Sequence, residues 1–240
     1  MGLLPRGLVC AALLACGEVK KSALPARDSL APKAPAAVSR MDDASEHRAS
    51  TSRGTVLFLG TSLTAGLGLE PDSAYPQQVQ RKIDAAALPY QTVNAGVSGE
   101  TSAGLLRRLD WVLQNPVAVI VVETGANDGL RGQSVAATKE TIGQVLTRIA
   151  TERPEARVVL VQMEAPTNLG AEYTRAFHAM FPALARERGV TLMPFLLDGV
   201  AGQPALNQAD GVHPNLVGER QVTENVWRVL GPLLRDLKKK

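Results

Sequence analysis

The sequence predicts an α/β fold in which a parallel sheet is covered by helices on both faces. Apolar runs of strand length alternate with amphipathic stretches of helix length along residues 54–237. The two clearest runs, 55–60 and 117–124, are nearly continuous in apolar residues rather than alternating, as strands buried on both faces are. Glycine-rich polar clusters also recur at strand ends, where open sheets of this kind place their ligand sites.

The first strand spans 55–60 and ends on a glycine. A helix follows over 76–86, then a short strand over 91–94. Residues 101–114 have a helical pattern, with Leu105, Leu106, Leu109, Trp111 and Val112 as its apolar positions. The strand at 117–124 leads to an amphipathic helix over 134–151 with Ser134 as its cap. A fourth strand at 157–163 precedes a helix over 171–188 carrying Tyr173, Phe177 and Phe181, which Gly189 ends. A fifth strand at 191–194 and a last helix over 214–237 complete the domain. Right-handed crossovers join such strands.

Residues 1–53 differ in character. Arg6 precedes a short apolar stretch of signal-peptide length, too short to span a bilayer as a helix. The stretch ends in Leu13-Leu14-Ala15-Cys16, which resembles a bacterial lipobox and marks Cys16 for lipidation. An ordinary cleaved signal and a misassigned start codon are the competing readings. Residues 17–53 read as a linker, rich in Ala, Ser and Pro and without sustained periodicity. His47 falls in it as a solvated residue. The expectation is an exported domain tethered to a membrane through Cys16.

Composition excludes several classes. Cys10 and Cys16 are the only cysteines, so residues 17–240 have no disulfide, thiolate nucleophile or cysteine metal site. Three histidines, one of them in the linker, support no metal site. Net charge is +3 and aromatics are 4%, which lacks the basic, aromatic-laced face of nucleic-acid binding. Lys238, Lys239 and Lys240 read as a solvated tail. A monomer is expected.

Four clusters carry the chemistry: residues 60–66 around Ser62, 94–101 around Gly99, 124–129 around Asn127, and 210–215 with Asp210 and His213. Together they hold a serine hydroxyl, the one imidazole, a carboxylate close to it in sequence and several donors, the parts acyl transfer needs. A serine hydroxyl is a weak nucleophile at neutral pH and needs a base within reach. His213 fits that role, since an unperturbed imidazole titrates near neutrality. Asp210, three residues earlier with Gly211 allowing a tight bend, can orient it. Candidate oxyanion donors are the Ser62 and Gly99 backbone N–H groups and the Asn127 amide. Neither a dinucleotide-binding spacing nor a Gly-Lys-Ser/Thr phosphate loop is present. His178 reads as a packing or surface residue, and Asp128 as a helix-start or loop-stabilising one.

These clusters resemble the consensus blocks of the SGNH, or GDSL, hydrolases, and more closely their bacterial arylesterase, thioesterase I and lysophospholipase branch. The matching residues are Gly60-Thr61-Ser62-Leu63, Asn94 to Thr101, Gly125 to Gly132, and Asp210-Gly211-Val212-His213-Pro214-Asn215. The resemblance implies a flavodoxin-like three-layer α/β/α sandwich with a five-stranded parallel sheet. It also implies no cofactor, and catalytic roles for Ser62, Gly99, Asn127 and His213, with Asp210 completing the triad. One position departs: the usual Asp of the serine block is Thr61 here.

The branch implies an ester or thioester of an acyl chain as substrate, lipid or small molecule. The segment 163–170, with Pro166, Thr167 and Asn168 at its centre, is expected to line the acyl groove. A carbohydrate or cell-wall O-acetylesterase on the same fold is the second reading. A non-catalytic surface lipoprotein that keeps the fold as a binding module is the third.

Overall fold

The computed structural model describes residues 53–239. The expected export segment with Cys16, His47, and the linker as far as residue 52 lie outside the described residues. Five strands form one sheet: β1 (Gly54–Gly60), β2 (Tyr90–Gly96), β3 (Val119–Val122), β4 (Arg157–Val161) and β5 (Thr191–Met193). Their order is β2-β1-β3-β4-β5 and every pairing is parallel. Seven α-helices connect them: α1 (Ser62–Ala65), α2 (Tyr75–Ala85), α3 (Ser102–Val112), α4 (Ala126–Leu130), α5 (Val135–Glu152), α6 (Ala171–Arg188) and α7 (Leu216–Lys238). Helix α5 packs against both α3 and α6, and α2 packs against α7, so helices cover the sheet on both sides.

The apolar runs do what their composition requires. All four residues of β3 are fully buried, as are Val56, Phe58 and Leu59 of β1. Burying a side chain of this size contributes about 1.5–3 kcal/mol, and these central strands form the floor of the core. Phe177 and Phe181 of α6 are buried, one helical turn apart, with their rings edge to face. In α3, Leu105 and Leu109 point inward at the same spacing, whereas Trp111 lies off that stripe and is 70% exposed.

Element boundaries differ from the sequence expectation in understandable ways. The third strand is shorter, 119–122 within the expected 117–124, although Glu123 just past it still donates its N–H to the Leu59 carbonyl at 2.8 Å. The second is longer, since Gly96 pairs in register with Gly60 although neither residue has strand propensity. The last helix begins two residues later than expected, with the Asn215 side chain accepting from the Val217 and Gly218 N–H groups. Helices α1 and α4 are additional, and both carry site residues.

Candidate active site

In a sheet of order 2-1-3-4-5 the connections from β1 and β3 leave in opposite directions, opening a crevice beyond their carboxyl ends. Ser62 lies just past β1 as the first residue of α1, and Asn127 lies past β3 in α4. A glycine with φ of +73° at Gly66 closes α1 after one turn. Gly99 stands on the turn after β2 with φ of +76°, a conformation that favours glycine. Ser62, Gly99, Asn127 and His213 all line one cleft of about 250 Å³.

The loop before α7 closes the constellation. Gly211, with φ of +69°, bends the chain so that the Asp210 carboxylate accepts the N–H groups of Val212 (2.9 Å) and His213 (3.0 Å). Its other oxygen lies 2.7 Å from His213 Nδ1. A carboxylate only accepts, so Nδ1 carries the proton and Nε2 is left as the acceptor. The Ser62 hydroxyl, 2.8 Å from Nε2, therefore donates to it. The backbone N–H groups of His213 and Val212, then the imidazole, hold the Asp210 carboxyl down at about 2. The histidine is largely enclosed while the aspartate is half exposed.

The oxyanion candidates sit on a braced loop. The Asn127 amide nitrogen donates to the Glu100 carbonyl at 3.0 Å, and its second N–H remains for the cleft. Arg131, just past α4, donates to the Gly99 carbonyl at 3.0 Å. Buried Asp128 accepts from the Ser102 N–H (2.9 Å) and hydroxyl (2.6 Å), which caps α3 with a carboxylate. Glu100 in turn forms a two-pronged ion pair with Arg108, at 2.7 Å on each prong. Among the described residues, the Ser62 and Gly99 N–H groups donate to no protein acceptor.

The model of the GDSL-like lipase/acylhydrolase family matches residues 58–221. The chain belongs to that family. Esterase TesA of Pseudomonas aeruginosa is 38% identical to it over 181 residues, 75% of this chain and 89% of that one. Thioesterase 1/protease 1/lysophospholipase L1 of Escherichia coli is 36% identical, covering 75% of this chain and 85% of its own. Among solved structures, a crystal structure of TesA superposes with a TM-score of 0.71 at 37% identity, covering 75% of this chain and 99% of that one. The psychrotrophic esterase EstA from Pseudoalteromonas sp. gives 0.72 at 31% identity, covering 76% and 99%.

This GDSL-like chain also shows how Thr61 replaces the usual aspartate. Its N–H (2.7 Å) and hydroxyl (3.0 Å) both donate to the carboxylate of Glu123, at the end of β3. Glu123 is fully buried. Burial pushes its carboxyl above the ordinary glutamate value, and the Thr61 and Thr64 hydrogen bonds pull against that rise. Sequence reasoning missed this residue because it ends an apolar run. A charged residue at the inner end of a buried strand was the available signal.

Pro166, Thr167 and Asn168 line a second, larger groove of about 620 Å³. It shares Leu63, Ala126, Leu130 and Val212 with the serine cleft, so the two are continuous. His178 is a surface residue, bonded to Glu164 (2.7 Å) and Gln162 (2.8 Å) beside this groove.

Proposed function

We propose that the protein is a serine ester hydrolase that cleaves esters or thioesters of acyl chains through an acyl-enzyme on Ser62. The observation that carries this reading is the hydrogen-bonded series Ser62–His213–Asp210 opening into a cleft continuous with an apolar groove. Ser62 Oγ attacks the carbonyl carbon as its proton passes to His213 Nε2. The oxyanion that forms is received by the Ser62 and Gly99 N–H groups and the Asn127 amide. The tetrahedral adduct collapses, the carbonyl re-forms, and His213 returns the proton to the leaving alkoxide or thiolate. A water, deprotonated by His213, then attacks the acyl-enzyme by the same route and releases the acid. Asp210 stays ionised throughout and steadies the imidazolium.

The acyl chain extends from the cleft into the groove past Pro166, Thr167 and Asn168, whose neighbours Met163, Ala165, Phe195 and Leu197 supply apolar surface. Names of the relatives support this: esterase, thioesterase and lysophospholipase. The enzyme acts as an exported monomer anchored by an acylated Cys16, with the linker holding the domain off the membrane. Among the described residues no helix is long and apolar enough to cross a membrane.

A fluorophosphonate should label the wild type and leave Ser62→Ala unlabelled; equal labelling of both would remove Ser62 as nucleophile. Across p-nitrophenyl esters, turnover should favour medium aliphatic chains over acetate. Activity restricted to acetyl esters, including acetylated xylan, would instead identify an O-acetylesterase. Cys16→Ser should move the full-length protein from the membrane to the soluble fraction of its bacterial host, and no redistribution would rule out the anchor.

A further inference from the structure

The turn that carries Ser62 is pinned from below by one buried carboxylate. Glu123 Oε2 receives the Thr61 N–H at 2.7 Å and the Thr64 hydroxyl at 3.0 Å, and the Thr61 hydroxyl reaches both carboxylate oxygens at 3.0 Å. Thr64 Oγ1 is also 2.7 Å from the hydroxyl of fully buried Tyr75. With the Thr64 proton committed to Glu123, the tyrosine is the donor of that pair. Ser62 sits between the two threonines, so residues on either side of it in a single helical turn are held by the same group.

The surrounding backbone is shaped to admit this carboxylate. A Cβ at Gly60 would lie 1.9 Å from Thr64 Oγ1 and 2.7 Å from Glu123 Oε2. A Cβ at Gly96 would lie 2.4 Å from the Ala65 nitrogen and 2.9 Å from the Thr61 carbonyl oxygen. Any side chain at either paired position would push the turn off the sheet. Among the described residues no cation pairs with Glu123. An unpaired buried acid is costly, and such groups persist where their hydrogen bonds hold something in place.

We propose that Glu123 is the positioning residue for the nucleophile, acting through Thr61 and Thr64 to aim the Ser62 hydroxyl at His213 and the Ser62 N–H into the cleft. The proposal rests on Ser62 being the nucleophile. Glu123 never touches substrate; its effect falls on the step at Ser62, where a displacement of about 1 Å can lower rate on the order of 100-fold. Binding in the groove, most of whose walls come from other elements, with Leu63 alone contributed by this turn, changes little.

The test uses the full-length protein with Glu123→Gln, Thr61→Val and Thr61→Ser. Steady-state kinetics on p-nitrophenyl butyrate, the fluorophosphonate labelling rate and Tm are read together. Glu123→Gln should lower kcat and the labelling rate by about 100-fold with KM within about threefold, the loss expected for one oxyanion donor out of place. Thr61→Val, which keeps the β-branch but removes the hydroxyl, should lower both by about tenfold. Thr61→Ser, which restores the hydroxyl, should recover most of each. Wild-type kcat and labelling in a folded Glu123→Gln or Thr61→Val protein would overturn the proposal. So would equal losses in Thr61→Val and Thr61→Ser, which would assign the effect to the shape of the side chain rather than to its hydroxyl. If Glu123→Gln does not fold, the two Thr61 variants decide. Labelling of the wild type but not Ser62→Ala checks the nucleophile separately, so its failure is distinguishable from that of Glu123.

Discussion

The roles of the polar residues follow from which of their hydrogen-bonding atoms are already committed. Asp210 spends one oxygen on two backbone N–H groups and the other on the imidazole, so its own loop fixes its direction before any substrate arrives. Its carboxyl is held down at about 2 against an ordinary 3.8. A depressed carboxyl stabilises the fold above its unfolded value, and that contribution disappears as the pH falls through the folded one, here between about 3.8 and 2. Asp210 therefore remains charged across the range in which the enzyme has a use for its imidazole. Asn127 is committed differently, with one amide N–H on the Glu100 carbonyl and one left for the cleft. Asn127→Ala should lower kcat on the order of 100- to 1000-fold, the usual consequence of losing one oxyanion donor, with little change in KM. A variant that raised KM and kept kcat would place Asn127 in ground-state binding instead.

The short helices are where the elements were least legible. Strand–helix alternation, Ser134 as the α5 cap and Gly189 as the α6 stop were readable because periodicity and capping chemistry extend over many residues. Helices α1 and α4 have four and five residues, fewer than two turns, and no apolar stripe can be read in so short a span. The clusters containing Ser62 and Asn127 could be found by their chemistry, but their backbone conformation could not. Helix α4 also shows why Asp128 accompanies Asn127. From one turn, Asn127, Asp128 and nearby Arg131 reach back to residues 99–102, so the donor loop after β2 is supported by the element after β3. Asp128→Ala would strip Ser102 of two charge-assisted bonds in a fully enclosed place, costing about 3 kcal/mol. In a domain of this size that lowers Tm by roughly 10 °C. Thermal melting of the variant checks it, and a shift below about 2 °C would mean that α3 is capped adequately without the carboxylate.

At the scale of the whole molecule, the strand order brings together groups far apart in the chain, with Ser62 and His213 separated by 151 positions and joined across 2.8 Å. The sequence motifs identified these partners because each lies in a glycine-rich loop. Nothing comparable marks two of the acids inside the protein, Glu123 and Glu219. Glu123 ends a buried strand, and Glu219 sits in the first turn of α7 with only 1% of its surface exposed and one carboxylate oxygen without a partner. In sequence Glu219 is merely an acid at a helix N-terminus, an ordinary surface pattern; only the packing of α2 against α7 encloses it. Desolvation pushes its carboxyl up to about 8, opposed by the nearby Tyr75 N–H. The unfolded chain would release that proton near 4.5, so the folded state binds it more tightly between the two values. The contribution to stability is complete below about 4.5 and is lost as the pH rises towards 8, at up to about 1.4 kcal/mol per pH unit. Glu219→Gln, neutral and of the same shape, should therefore flatten the decline of Tm between pH 5 and 8, leaving the slope that Glu123 imposes in the same direction. Melting curves across that range decide the matter: a decline in Glu219→Gln as steep as in the wild type would mean that Glu219 ionises in the folded protein as readily as in the unfolded chain.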